Sequence, residues 1–464
     1  MRRLLIAGGG ITGLAAAWQA EQDPRDIEIV LVEKEPRLGG KILSERSEDG
    51  FLFEGGPESF LSRKSVAVEL CRSIGIDGRL IGPLPQPQRS FVSHGRVLYP
   101  VPQGFTGLVP GDPSAILQSD LLTADAKSRF MREPTIPPNA YGTDESVATF
   151  MTRRFGREVF ERLIEPLASG IYAGNPALLS MAATFPHLQV QERERGSLLP
   201  VNGTGRKAAD APSLPPFVSF PDGMGELVDG IAAALSRTII RTASGVVSLQ
   251  RRSGTDGDRY TVELDDDEFL DVDAVVLAVP AHAASALAAG IDQIAAESLS
   301  RITSASTVVV HLAFGAGDAA HAVQGHGYVV PAVEADTFLA CTWSSSKWAH
   351  RAPEGSVLLR LYAGRYGNDA ALKMSEAELV RRARGELAAT LGITAEPLGV
   401  RIFRWEKAIP QYNLGHVDRV ARIRERERYM PGIFLAGAAF DGVGIPDCIA
   451  SGENAARHAV EYLR

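Results

Sequence analysis

Cysteine is scarce in this chain: only Cys71, Cys341 and Cys448 occur, odd in number and far apart. No CxxC or Cys/His spacing is present, so neither a metal site nor a disulfide framework is expected, and reduced thiols in a cytoplasmic setting are. Long apolar runs are missing as well. A spanning helix needs about 20 strongly apolar residues, and the longest weakly polar stretch, 274–291, is rich in alanine and holds Pro280 and His282. No transmembrane segment is expected. Basic charge is not in excess: 48 Lys and Arg stand against 56 Asp and Glu, a formal net charge of −8. A general nucleic-acid binder needs a basic face, so that class is set aside. What remains is ordinary globular composition, 45% hydrophobic and 22% charged over 464 residues, enough for two or three domains.

The N-terminus resembles a secretory leader only superficially. Arg2 and Arg3 precede an apolar stretch, but Gly8, Gly9, Gly10 and Gly13 interrupt it. The pattern instead predicts a buried strand over 3–7, a turn over 8–13, a helix over 14–22 and a second strand over 27–33. Gly8-Gly9-Gly10-Ile11-Thr12-Gly13 fits G-x-G-x-x-G. Gly8 permits the turn, Gly10 lets backbone approach a diphosphate, and Gly13 lets the helix pack on the strand. The helix N-terminus presents unpaired N–H groups to that anion. Glu33 ends the second strand, where a carboxylate can take ribose hydroxyls and would repel a 2′-phosphate.

Beyond Glu33 and Lys34 the segment Glu35–Lys41 (EPRLGGK) resembles the extension of the glutathione-reductase-like FAD fold. In that resemblance paired glycines, Gly40 among them, let backbone approach the cofactor, and Arg37 and Lys41 balance phosphate charge. EGGPESF follows at 54–60, where the amides of Gly56, Pro57, Glu58 and Ser59 would run along the flavin. Val247 lies where such proteins hold adenine through backbone contacts, and Trp405 would pack near the isoalloxazine. Gly437, Val443, Gly444 and Ile445 form a closing glycine-rich turn and helix start, whose dipole favours negative charge on the flavin.

Taken in order, GGGITGLAAAW, RLGGK, EGGPESF, SGIYAG, GHGYVVP, WEKAIPQYNLGH and GAAFDGVGIPDCIASG cover essentially the whole chain and resemble the oxygen-dependent porphyrinogen oxidases. The resemblance implies FAD, molecular oxygen and a methylene-bridged tetrapyrrole of haem biosynthesis. Three rounds of hydride removal, with imine–enamine shifts, would give the aromatic porphyrin and hydrogen peroxide. No nucleophile elbow, zinc motif or acid/base pair is found, and no residue is assigned as catalyst. GPESFLSRK resembles the branch acting on coproporphyrinogen III, the substrate expected here. Protoporphyrinogen IX is the alternative, with another amine-oxidase-like or desaturase enzyme, and then a non-enzymatic flavoprotein, behind it.

Propionates call for cations. The resemblance implies Arg89 as a carboxylate ligand, against an ordinary surface arginine. Arg63 and Lys64 could hold a further propionate. Gly327 would lie against the macrocycle beside His326, either a bystander or an acid/base. Tyr172 reads as a substrate contact or as core. Some relatives carry arginine after GP, where this chain has Glu58, so that contact must differ here.

The expected architecture is α/β, a flavin amine oxidase-like fold: FAD-binding parts at 1–75, 217–300 and 403–464, a mixed-sheet substrate domain at 301–402, and a helical subdomain at 95–190. Crossovers are placed at 76–94 and 191–216. Asp144 should cap a helix bearing Val147, Phe150, Met151 and Phe155. A second amphipathic segment carries Val159, Phe160, Leu163, Ile164 and Leu167. The helical subdomain would touch a membrane peripherally at most. A downstream haem-pathway enzyme is the further partner implied.

Overall fold

Leu4, Leu5 and Ile6 are all wholly buried in the strand Arg2–Ala7, which means both faces of its sheet are covered. The computed structural model describes residues 2–85, 89–106, 108–139, 144–200, 214–254 and 257–464. Five parallel strands make this sheet, in the order Thr238–Arg241, Ile27–Val32, Arg2–Ala7, Ala274–Leu277 and Ile433–Leu435. Side chains alternate along each strand. Leu4, Ile6, Ile29, Leu31 and Val276 pack under the helices Ile11–Glu21 and Ile445–Tyr462. Leu5, Ala7, Val30, Val32 and Leu277 face Tyr260, Val262 and Leu264 of a three-stranded antiparallel layer, and the helix Ala281–Ala288.

A second sheet has seven strands: Gly399–Pro410, Ser304–Gly315, Ser356–Ala363, Phe338–Trp343, Gly327–Val329, Ser90–His94 and Val97–Pro100. It is mixed, because Gly327–Val329 runs parallel to Ser90–His94 while its other neighbour is antiparallel. The helix Glu376–Leu391 covers one side with Leu379, Ala383 and Leu387 buried.

Helices between 113 and 195 form the third unit. Val147, Phe150, Met151 and Phe155 are all buried in Val147–Phe155, as their spacing predicts. Its cap is not Asp144 but Ser146, whose hydroxyl accepts from the Thr149 amide at 3.1 Å. Asp144 instead accepts from Ser180 Oγ at 2.7 Å and the Gly415 amide at 2.8 Å. The second amphipathic segment contains a π-helical turn, Phe160–Ile164, just before Pro166. Proline has no N–H to donate and crowds the carbonyl four residues back, so the widened turn falls there. Arg154 and Glu133 form an ion pair with both side chains fully buried.

Three boundaries shift from those expected. The strand Gly399–Pro410 pairs with Ser304–Gly315 along its length, so the seven-stranded sheet runs past 402. Val97–Pro100 is a sheet strand and not part of the helical unit. The helix Pro186–Arg195 runs past 191 before the crossover begins. Half of that crossover, 201–213, lies outside the described residues, as do 86–88 of the crossover expected at 76–94, and 255–256.

Candidate functional site

The glycine turn is set by close backbone approaches. Gly8 has φ +105, and a Cβ on Gly13 would sit 1.8 Å from Gly8 O, so no side chain is tolerated there. Over Gly10 the space is open, with Gly40 Cα the nearest atom at 4.0 Å from a would-be Cβ. Ile11 begins the helix, and Thr12 is buried against Gly452 of the C-terminal helix. Glu33 closes the turn: its carboxylate accepts from the Gly9 amide at 2.7 Å and the Glu35 amide at 2.9 Å. Lys34 is exposed beside Glu35. Arg37 donates to the carbonyls of Leu38, Ile42 and Gly40, so its guanidinium holds the RLGGK turn in shape. Lys41 is exposed, and Val247 is exposed at a β-bulge.

The EGGPESF segment is clamped through its carbonyls. His311 Nε2 lies 3.0 Å from Glu54 O, Trp405 Nε1 donates to Gly55 O at 2.7 Å, Arg360 donates to Gly56 O, and Ser219 Oγ donates to Glu58 O at 2.7 Å. A Cβ on Gly56 would strike Lys41 O at 1.7 Å, which locks the segment against the RLGGK turn. Pro57 and Ser59 are half-buried beside it. The Glu58 carboxylate is buried and meets Lys347 at 2.6 Å and Arg360 at 3.5 Å. Burial works to raise its pKa, but these two cations overcome it and hold the group at about 2. Glu54 is buried against Arg351, and burial pushes it up. Burial, followed by the Arg360 charge, drives His311 down to about 3, so its ring is neutral.

The closing loop is braced by Tyr412. Its hydroxyl donates to Ala438 O at 2.7 Å and accepts from the Gly442 amide at 2.8 Å. Gly437 donates its amide to Ser451 Oγ at 2.9 Å. Val443 packs on the helical unit, Gly444 precedes the helix, and Ile445 is buried in its first turn. Neither Ile11–Glu21 nor Ile445–Tyr462 carries a side-chain cap, so first-turn N–H groups remain available to an anion. Open space above Gly10, two uncapped helix ends and the constrained 54–58 backbone together suit an extended dinucleotide.

A sequence family described as flavin containing amine oxidoreductase matches residues 11–460. The chain belongs to that family. It is accordingly an oxidoreductase with FAD as cofactor. It is 34% identical to the coproporphyrinogen III oxidase of Bacillus subtilis (strain 168), over 100% of this chain and 98% of the relative. It is 32% identical to the chloroplastic protoporphyrinogen oxidase 1 of Arabidopsis thaliana, over 98% of this chain and 87% of that one. A crystal structure of a protein from Exiguobacterium sp. 255-15 superposes with a TM-score of 0.86 at 33% identity, covering 99% of both chains. Cyclohexylamine oxidase from Brevibacterium oxydans IH-35A, at 15% identity and a TM-score of 0.69, shares the fold.

Within this amine oxidoreductase frame the predicted substrate residues separate. Lys64 is bound to Asp447, with Nζ 2.5 and 2.7 Å from its two oxygens, which joins the start of the Ser65–Ser73 helix to the C-terminal one. Arg63 and Arg89 are exposed. The Arg89 carbonyl accepts from the His326 amide at 2.8 Å, which places Arg89 beside the Gly327 strand. Gly327 has φ +135, and a Cβ there would meet Cys341 O at 2.1 Å. His326 has a buried Nε2 with no hydrogen-bond partner; burial and then the Lys347 charge lower its pKa, while Glu58 opposes them. Tyr172 is buried between Tyr412 and Phe185, its pKa raised by burial to about 12.

Lys347, Arg360, Arg351 and Tyr412 did not emerge from the sequence as site residues. The charged ones reach Glu54 and Glu58 only through tertiary contacts, which no local spacing encodes. Tyr412 lay within IPQYNLGH, so that motif was the available signal. Among the described residues no group of three or more His, Cys, Asp or Glu could hold a metal, and no helix is long and apolar enough to cross a membrane.

Proposed function

We propose that the protein oxidises coproporphyrinogen III to coproporphyrin III in haem biosynthesis, with molecular oxygen as acceptor and hydrogen peroxide as by-product. The carrying observation is the match, along the whole chain, to coproporphyrinogen III oxidases of Bacillus subtilis and Staphylococcus aureus at 34% and 30% identity. Protoporphyrinogen IX is the second reading, favoured by the Arabidopsis relative named above.

When bound, FAD supplies hydride acceptance from a methylene bridge and electron transfer to oxygen. The chain's part is binding, orientation and charge. Amides of Gly10, Ile11, Thr12 and Gly13 would hold the diphosphate, with the Gly9 amide fixing Glu33 beside them, Lys34 and Lys41 adding positive charge nearby and Arg37 and Gly40 shaping the second turn. Glu33 would take ribose hydroxyls and Val247 the adenine through backbone. Gly56, Pro57, Glu58 and Ser59, with Trp405 behind them, would set the flavin ring from one side. Gly437, Val443, Gly444 and Ile445 would set it from the other. Arg63 and Arg89 would meet propionates, and the Gly327 strand would lie against the macrocycle. His326, neutral near pH 7, could accept a pyrrole proton at its unpartnered Nε2. Tyr172 shapes the cover of that space through Tyr412. A cytoplasmic location and hand-over to a following haem-pathway enzyme complete the reading.

The test is anaerobic mixing of purified protein with each porphyrinogen, followed by air. Loss of flavin absorbance, then a Soret band with peroxide, is expected, with kcat/KM higher for the tetra-acid. Flavin left oxidised by both porphyrinogens would overturn the reading.

A further inference from the structure

The buried charges under the flavin segment do not balance. Glu54 and Glu58 face three cations, Lys347, Arg351 and Arg360. Arg351 and Arg360 are almost fully buried, at 1% and 3% exposure, whereas Lys347 keeps 20%. Glu58 is shared between Lys347 and Arg360, so neither cation has a carboxylate to itself. Uncompensated buried charge is costly, and an anion arriving at the accessible member would relieve it. That member has two further N–H donors beyond the one given to Glu58.

Position says which anion. Lys347 ends the short helix Ser344–Lys347, which directly follows the strand Phe338–Trp343 paired to Gly327–Val329. Its carbonyl accepts from the Leu84 amide at 2.9 Å, so it also borders the segment leading to Arg89. The Lys347 charge reaches the His326 ring, whose Nε2 is unpartnered. Lys64, the cation expected for a propionate, is meanwhile held by both oxygens of Asp447. Glu58 puts negative charge on the flavin segment itself, and the cation beside it comes from the helix that follows the second sheet's strand Phe338–Trp343.

We propose that Lys347, seated by Glu58, binds a carboxylate of the substrate and determines specificity for acidic side chains. This rests on the porphyrinogen reading and refines it. Glu58 is the positioning residue: it fixes the ammonium at the edge of the flavin segment, and Arg360 draws off enough of its charge to leave Lys347 attractive to a second carboxylate.

The experiment compares wild type, Lys347→Gln, Lys347→Arg and Glu58→Gln, all as FAD-loaded holoenzyme, on coproporphyrinogen III and on its uncharged tetramethyl ester. For Lys347→Gln, loss of one charge-assisted contact should raise KM for the tetra-acid about 10- to 50-fold. Its kcat should move far less, and its KM for the ester should be unaltered. Lys347→Arg should recover much of the loss. Glu58→Gln should raise KM in the same acid-selective way, because the ammonium loses its seat. Equal KM changes for acid and ester, or a fall in kcat alone, would overturn the assignment while the porphyrinogen reading stood. A wild-type flavin that neither compound reduces would overturn both. Should Glu58→Gln fail to retain flavin, the Lys347→Gln and Lys347→Arg pair still decides.

Discussion

The two halves that meet at the EGGPESF segment are held by opposite means. Around the five-stranded sheet, precision comes from atoms that are missing: Gly13, Gly56 and Gly452 allow contacts in which a would-be Cβ would lie 1.8, 1.7 and 2.1 Å from backbone oxygen. Around the seven-stranded sheet and the helical unit, it comes from charges that are present and buried, as in Glu58–Lys347–Arg360 and Arg154–Glu133. The first kind of contact has no tolerance for added volume. The second tolerates volume but not the loss of one partner.

That contrast can be broken at several points. Gly13→Val should do most damage, because no relaxation of side chains clears a backbone oxygen. Flavin affinity should fall by about a hundredfold or more, and the protein should purify without its visible flavin absorbance. Arg154→Met should destabilise by about 3–5 kcal/mol by leaving Glu133 buried and unpaired, and Arg154→Met combined with Glu133→Leu should regain much of it. Urea unfolding of the two variants reads this, and equal losses would dissolve the comparison. Tyr412→Phe removes two hydrogen bonds to the closing loop. It should weaken flavin retention by about 1–2 kcal/mol, measured by flavin release under dilution, with little change in far-UV signal.

The smallest effect concerns pH. The folded pKa of His311, about 3, lies below the usual 6.5. The unfolded chain therefore binds the proton first, and this group's contribution is complete above about 6.5 and declines as pH falls toward 3. His311→Gln should make the fall in stability over that window shallower by up to about 1.4 kcal/mol per pH unit. Matching slopes in wild type and variant would show that the ring does not carry this dependence.

Contacts local in sequence were legible in advance. The Gly8–Gly13 turn, Glu33 at the end of its strand and the buried stripe of Val147–Phe155 follow from spacing and periodicity, since each depends on residues within a strand or a few helical turns. Lys347 was not legible, because nothing near it in sequence announces Glu58, and their meeting needs both sheets assembled. Lys64 shows the same limit: its place after the EGGPESF segment suggested a propionate ligand, and nothing near it in sequence announced Asp447 on the C-terminal helix, to which it is paired. The Asp144 cap failed for a smaller reason. The helix starts beyond Ser146, which frees Asp144 to tie Ser180 to Gly415. The boundary at 402 failed because a strand of alternating pattern shows no mark where one domain hands over to another.

The order of the parallel sheet has a consequence for synthesis. Arg2–Ala7 lies between Ile27–Val32 and Ala274–Leu277, and the far edge is supplied by Ile433–Leu435. The helix that closes over Ile11–Glu21 comes later still, at Ile445–Tyr462. A chain growing on the ribosome thus displays its glycine turn long before the opposing wall exists, and non-local pairing of this kind is slow to form. Flavin capture should await Ile445–Tyr462, so a polypeptide cut before that helix should stay colourless, and the yellow of the holoprotein doubles as a report that this wall has been made and seated.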